Sequence, residues 1–223
     1  AQGRQTRCRQ FAGGQLMKRT NRIPNFRGWH VWVLHRPSAA IDPLLRHLER
    51  LGMTVDRYWP ELPRGDDTNV KAADILFFDA DMGMDEQFPW TPDQTPMPSV
   101  ALIGSEAPGR LEWVLSRQSG AHLQKPVSTA GVFSAAVLAV HAFEQQQKLR
   151  AEICELRRRL KLRPVVAKVL MTVMLSHNID EHGALKAIRA EAMKKQQTIE
   201  DYCAAIVASG RTGSGDGAPI VTN

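Results

Sequence analysis

The chain has 223 residues and a formal net charge of +6, from 29 Lys and Arg against 23 Asp and Glu, which favours an acidic partner without identifying one. No run approaches the roughly 18 apolar residues of a membrane span, and no apolar core of a signal peptide is present, so we expect a cytoplasmic protein without membrane contact. The sequence has no His, Cys and carboxylate constellation, no Cys-x-x-Cys pair and no Gly-rich phosphate loop, so we expect a non-enzymatic protein without metal or cofactor.

Both ends of the chain have compositions that predict disorder. Residues 1–28 contain seven Lys or Arg and no acid, so we expect a basic disordered arm. Residues 209–223 are rich in Gly, Ser and Thr, and we expect a disordered tail there.

Residues 29–131 alternate short apolar strands with helical stretches, which predicts an α/β domain with a doubly wound parallel sheet. The predicted strands are Val31–Leu34, Thr54–Tyr58, Ile75–Phe78, Val100–Ile103 and Ala121–Leu123. Residues 85–98 interrupt this pattern as a polar loop. Its Phe88 and Trp90 either dock a partner or fold back over the sheet.

Residues 132–163 have the spacing of a long coiled-coil helix. Intervals of three and four alternate along Ala135, Ala139, Ala142, Gln146, Leu149, Ile153, Leu156 and Leu160. Only the second half has large side chains, so the candidate dimer seam is Leu149, Ile153, Leu156 and Leu160, and Gln146 would need a partner. We expect a homodimer, because little neighbouring chain is available to cover so long a helix. The alternative is an amphipathic helix folded back on its own domain.

Residues 164–208 predict a small all-α domain of three short amphipathic helices. Three apolar stripes with helical spacing follow one another, and Asp180 stands at an N-cap position. Thr198 with Asp201 resembles a capping box with a shorter acid. Helices this short must share one core. We expect Pro164 to kink the preceding helix or to start a new one.

Cations surround this predicted domain. The candidate nucleic-acid-binding residues are Arg163, Lys168, Lys186, Arg189, Lys194 and Lys195. Clustered positive charge suits a nucleic-acid backbone, because phosphate neutralisation supplies most non-specific affinity. The alternative is a solvated helix face with cations placed favourably near a helix C-terminus.

Several short motifs of this region, in order and spacing, resemble the ANTAR output domain of transcription antitermination regulators. They are Arg163-x-x-Val166-x-x-Val169, Val173-Met174, His177-Asn-Ile179, Ala184-Leu-x-x-Ile188-Arg189, Glu191-Ala-Met-Lys194 and Ile199-x-Asp201. Together with the N-terminal half they look most like AmiR-like regulators. Val169-Leu170-Met171 stands where the family usually has Ala-Lys-Gly, so a basic residue is missing and Lys168 lies nearby.

The α/β half resembles a response-regulator receiver domain. Asp79 ends the third strand and Lys125-Pro126 follows the last one, as in that family. The acidic pair that holds magnesium in the family is replaced by His35-Arg36, and a cationic pair would repel the metal. Because phosphoryl transfer depends on that metal, the resemblance implies a pseudo-receiver with a degenerate phosphoacceptor site at Asp79 and Lys125. Asp79 would then be a strand-end acid paired with Arg36 or Lys125.

These resemblances imply an RNA-binding transcription antiterminator of an inducible operon. The implied partners are a leader mRNA hairpin, a second copy of the chain through the coiled coil, and an AmiC-like ligand sensor related to periplasmic binding proteins. That sensor, and not phosphorylation, would hold the regulator inactive. The alternative is a DNA-binding response-regulator-type transcription factor, because three helices also describe helix-turn-helix readers. A third interpretation is a protein-interaction adaptor.

Overall fold

A computed structural model of the chain describes residues 23–64 and 72–209. The predicted arm up to residue 22 and the predicted tail from residue 210 lie outside the described residues. The described residues form two compact units, 23–148 and 149–209.

The first unit is built on a five-stranded parallel sheet with the order β2-β1-β3-β4-β5. The strands are β1 His30–Leu34, β2 Thr54–Tyr58, β3 Ile75–Asp79, β4 Ser99–Ile103 and β5 Ala121–Gln124. Strands β1, β3 and β4 are buried along their whole length. Their nearly continuous apolar runs are typical of central strands of a parallel sheet, which are covered on both faces. The predicted doubly wound α/β fold is confirmed.

Helices cover the sheet on both faces. They are α1 Asp42–Arg50, α2 Pro108–Ser116 and the first turns of α3 Val132–His177, with short 3-10 turns at Ala39–Ile41, Asp85–Gln87 and Pro92–Gln94. On one face Val31, Val33 and Phe77 pack with residues of α1 and α3. On the other face Leu34 and Phe78 pack with Val114 of α2 and with the segment 85–98.

Residues 85–98 fold back over the sheet, which decides between the two interpretations of this loop. Phe88 is buried and meets the Phe78 ring edge-on, with 5.6 Å between centroids, and Trp90 is half-buried. The buried guanidinium of Arg117 lies 4.0 Å from the Phe88 ring centroid and donates to the Asp85 carboxylate at 2.8 Å. The loop aromatics are therefore part of the core.

The end of the predicted disordered arm belongs to the first unit instead. Phe26 is buried and meets the rings of Trp29 and Phe133 edge-on, with centroid distances of 5.0 and 5.6 Å. The Gly28 amide also donates to the Gly52 carbonyl at 2.8 Å. A disordered arm that reaches residue 28 is therefore wrong, because the Phe26 ring is buried in the core of the first unit and the Gly28 amide is hydrogen-bonded to it.

The alanine half of the predicted coiled coil is also part of this core. Ala135 and Ala139 are buried against the sheet, and Gln146 donates to the side-chain oxygen of Gln118 at 2.7 Å. Small residues allow this close approach: a Cβ added to Gly120 would lie 2.7 Å from the Cα of Ala139. A coiled-coil seam beginning at residue 132 is therefore wrong, and the alternative of a helix folded back on its own domain applies to this half.

Helix α3 continues through Pro164 to His177 without a boundary. The first of the three predicted short helices is therefore the C-terminal part of α3, and a new helix starting at Pro164 is wrong. A proline inside a helix removes one backbone hydrogen bond, and its ring crowds the carbonyl four residues earlier, so this position costs local helix stability.

The second unit packs this part of α3 with α4 Glu181–Lys194 and α5 Ile199–Ala208. Its buried core is Val169, Val173, Ala184, Ile188, Ala192, Tyr202, Cys203 and Ile206. Both predicted caps are present: Asp180 accepts from the Gly183 amide at 2.8 Å, and Thr198 accepts from the Asp201 amide at 3.1 Å. In turn the Asp201 carboxylate accepts from the Thr198 hydroxyl at 2.8 Å.

Candidate nucleic-acid interface and receiver-like site

The six predicted nucleic-acid-binding residues lie on two elements of the second unit. All are exposed: Arg163 and Lys168 on α3, Lys186, Arg189 and Lys194 on α4, and Lys195 at the end of α4. They differ in their neighbours. Among residues 149–209 no ion pair or hydrogen bond engages the side chains of Lys186 and Arg189, whereas Lys194 donates to Glu191 at 2.7 Å and Lys195 lies 5.0 Å from the Tyr202 ring centroid.

Part of the basic run at the end of the predicted coiled coil is neutralised by carboxylates. Arg158 and Arg159 each donate to Glu155 at 2.9 Å. Arg158 also forms an ion pair with Asp201 of α5. Hydrogen bonds from Arg158 and Arg159 lower the pKa of Glu155 to about 2, and those from Arg158 and Thr198 lower the pKa of Asp201.

The predicted dimer seam is exposed in the second unit. The side chains of Leu149, Ile153, Leu156 and Leu160 are between 47% and 59% exposed. They recur along one side of α3 at intervals of four, three and four residues, which is the spacing that a partner helix can cover.

The receiver-like site lies where the carboxyl ends of the parallel strands meet. Asp79 at the end of β3 is 4% exposed, and its Oδ1 accepts from the Lys125 ammonium at 2.5 Å. Of the two cations expected beside Asp79, the structure places Lys125 there, whereas Arg36 is exposed. His35 is the second neighbour, with its Nε2 3.4 Å from the Asp79 Oδ2, an electrostatic contact without hydrogen-bond geometry.

His35 also contacts the backbone at this site. Its Nδ1 lies 2.6 Å from the Arg36 carbonyl oxygen, and its Nε2 faces the Asp79 carboxylate. The ammonium of Lys125 is the cation that stands beside the acid that a metal would need.

Asp81 completes this site, and sequence reasoning missed it. Its carboxylate accepts from the amides of Gly104 and Ser105 and from Lys125 at 2.8 Å. Burial alone would raise the pKa of Asp81, but the hydrogen bonds from Lys125, Gly104 and Ser105 outweigh it and lower the pKa. The sequence signal that could have indicated it is the position of Asp81, a second acid two residues after the strand-end Asp79. Among residues 23–64 and 72–209 no His, Cys, Asp or Glu cluster could hold a metal ion.

Two family models match the chain. The model described as AmiR, N-terminal, matches residues 29–140, and the ANTAR domain model matches residues 155–207. The chain belongs to the AmiR-like antitermination regulators. The first match covers the unit that contains Asp79 and the second covers α4, α5 and the end of α3. Both matched domains are regulatory. The second belongs to the ANTAR family, whose domains bind RNA.

Several solved structures resemble this AmiR-like chain. FixJ from B. japonicum is 17% identical with a TM-score of 0.41, and the match covers 83% of this chain and 98% of the FixJ chain. A response regulator receiver protein from Burkholderia phymatum is 20% identical with a TM-score of 0.37, and the match covers 50% of this chain and 95% of that protein. NtrX from Brucella abortus is 18% identical with a TM-score of 0.40, and the match covers 64% of this chain and 35% of the NtrX chain. At these TM-scores the likenesses carry no argument about function.

No curated protein sequence matches the chain significantly. Within the described ranges, no helix combines the length and apolar character needed to cross a membrane.

Proposed function

We propose that the chain is an RNA-binding antiterminator of an inducible operon and that cations of α4 and α3 contact a leader mRNA hairpin. The observation that carries this proposal is the ANTAR match over a unit whose α4 presents Lys186 and Arg189 exposed and without a carboxylate partner among residues 149–209. Proteins read RNA mainly in exposed loops, and unpaired cations can neutralise the backbone phosphates beside those loops.

The candidate cations differ in how readily they can reach phosphate. A free cation releases counterions from RNA at no internal cost, whereas a paired one first loses its carboxylate. On this ground Lys186, Arg189, Arg163 and Lys168 are the main proposed contacts. Lys194 and Lys195 are secondary, because Glu191 holds the first and the Tyr202 ring lies under the second.

We infer that the active form is a homodimer through the seam Leu149, Ile153, Leu156 and Leu160. About half of each of these side chains is exposed. Exposed large apolar residues at alternating intervals of four and three form a poor solvent-facing surface and a good helix-packing surface. A dimer would present two ANTAR units to one RNA molecule, which raises the effective affinity of the pair.

We propose that an AmiC-like, ligand-sensing protein controls this regulator and that phosphorylation does not. Asp79 is buried and already engaged by Lys125 and close to His35, so its carboxylate is not presented to a phosphoryl donor. A docked sensor protein that is released by a small molecule would supply the input, and binding free energy can shift a regulator in the same way as a covalent group.

The experiment is a gel shift of the full chain with the leader RNA of its own operon. The variant Lys186→Glu with Arg189→Glu reverses two charges and should bind measurably more weakly. If both residues contact phosphate, the slope of log affinity against log salt should fall by about 1.4, since each phosphate contact contributes roughly 0.7 with single-stranded RNA. A matched control, Arg46→Glu with Arg57→Glu, changes the net charge equally on exposed residues of the first unit and should bind normally.

The rival function is a DNA-binding response-regulator-type transcription factor, and the same experiment separates the two. Equal binding of a matched DNA duplex, or equal loss of binding in the control variant, would contradict the RNA proposal. A protein-interaction adaptor would keep its partner after the charge reversal and would bind neither nucleic acid.

A further inference from the structure

Three hydrogen-bond donors converge on one point at the carboxyl edge of the sheet. The Gly104 amide lies 2.8 Å from the Asp81 Oδ2 and 3.0 Å from its Oδ1, and the Ser105 amide lies 3.2 Å from the Oδ1. The Lys125 ammonium reaches the Oδ2 at 2.8 Å. Successive backbone N–H groups beside an ammonium form a typical concavity for an anion, and charge-assisted hydrogen bonds are among the stronger ones.

The backbone on both sides of this concavity is arranged for close approach. A Cβ added to Gly104 would lie 2.6 Å from the Asp81 Oδ2, so only glycine leaves room for the carboxylate. On the other side, the Asp81 amide donates to the Asp79 Oδ1 at 2.9 Å. That bond turns the chain after β3 and brings the Asp81 side chain back toward β4 and β5. The anion position is therefore built by three strand ends, β3, β4 and β5.

We propose that Asp81 is a built-in anionic ligand that occupies an oxyanion pocket formed by Gly104, Ser105 and Lys125. The chain fills with its own carboxylate a pocket that would otherwise accept a tetrahedral oxyanion such as phosphate, and this edge of the sheet stays in one anion-filled state. This inference rests on the proposed function, in which a sensor protein and not phosphorylation regulates the chain. It supplies a physical reason for that independence, because Asp81 already occupies the position that a phosphoryl group would take.

The charges around the pocket support an internal ligand over an external one. The buried Asp79 carboxylate shares Lys125 with Asp81, so an incoming phosphate would meet two negative charges and only one mobile cation. Removal of the Asp81 carboxylate takes away one of those charges and frees three donors at the same time. The pocket should then bind an external oxyanion.

The test compares the wild-type full chain with Asp81→Ala in thermal melts and isothermal calorimetry with inorganic phosphate at constant ionic strength, against chloride. We expect Asp81→Ala to melt at a lower temperature, to bind phosphate saturably and to regain thermal stability as it does so. Wild type should show no saturable binding. The control is Glu106→Ala, which removes the same charge from an exposed neighbour and should behave as wild type. Asp81→Asn keeps the pocket filled with a neutral group and should not bind phosphate.

Two results would overturn the inference: saturable phosphate binding by wild type as tight as that of Asp81→Ala, or no phosphate binding by a folded Asp81→Ala. If Asp81→Ala does not fold, wild type alone provides the test by NMR. The Gly104 and Ser105 amide protons should shift together with the acid titration of Asp81, and amides that stay constant through it would refute the contact. None of these measurements involves RNA or a sensor, so their failure would leave the RNA proposal standing.

Discussion

Truncation of one seam residue should weaken the proposed dimer by a measurable factor. Leu156 is 51% exposed, so a partner helix can still bury about half of its area. Full burial of a leucine side chain contributes roughly 1.5–3 kcal/mol, so the exposed half contributes about 1 kcal/mol. Leu156→Ala removes this contribution twice in a symmetric dimer. A loss of about 2 kcal/mol corresponds to a rise in the dimer Kd of roughly 30-fold.

Sedimentation velocity of the full chain without RNA, over a concentration series, measures this Kd directly. The control is Leu115→Ala on α2, a leucine that is 74% exposed but lies outside the seam, and its Kd should equal that of wild type. A wild-type chain that stays monomeric at high concentration would refute the seam. So would a Leu115→Ala variant that dissociates as readily as Leu156→Ala.

Two further predictions concern stability within each unit. Asp201→Asn should lower the melting temperature more at pH 7 than at pH 3. Arg158 and Thr198 hold the pKa of Asp201 below its ordinary 3.8, so this stabilisation is complete above that value and declines as the pH falls toward the lower folded-state pKa. An equal loss at both pH values, seen by circular dichroism, would contradict it. Gly120→Ala should cost about 1–3 kcal/mol in urea unfolding, because its added Cβ would lie 2.7 Å from the Ala139 Cα and overpacking forces the backbone to move. Gly109→Ala, in helix α2 with open space at its Cβ, should be no less stable than wild type, because alanine favours a helix over glycine.

The sheet could be predicted from the sequence because its central strands need no tertiary information to be recognised. Residues of β1, β3 and β4 are almost all apolar, and a short run of that kind bounded by turn residues is typical of a strand buried on both faces. The caps at Asp180 and Thr198 were predictable for a related reason, since each depends on a side chain and an amide only three residues away.

The limit of the coiled coil could not be predicted, because the heptad spacing is the same on both sides of it. Ala135 and Ala139 satisfy the seam pattern as well as Leu149 does, yet they lie against the sheet while Leu149 is exposed. The close approach depends on Gly120, a residue from another element of the fold. Periodicity shows that a helix has an apolar face, and it does not show which surface covers that face.

The sequence could not show which cations are paired with carboxylates, because some of the pairs join residues that are distant in the sequence. Arg158 and Asp201 lie 43 positions apart in the sequence and meet only because α5 packs on the end of α3. Glu155, by contrast, lies three and four residues before its two arginines, and that spacing was readable as a helical ion pair. The sequence therefore shows the amount of positive charge near α4, and the tertiary contacts show which of these cations are paired with carboxylates.

The missing metal pair and the internal carboxylate are parts of one charge balance. The carboxylates of Asp79 and Asp81 share the ammonium of Lys125, and the His35 ring lies beside Asp79. A divalent cation entering the site would stand beside that ammonium, and even two like unit charges 4 Å apart repel by roughly 4 kcal/mol at an effective dielectric constant of 20. A phosphate entering it would find its donors occupied by Asp81. Acids at positions 35 and 36 alone would therefore not recreate a phosphoryl-transfer site, because Asp81 fills the place of the phosphoryl group.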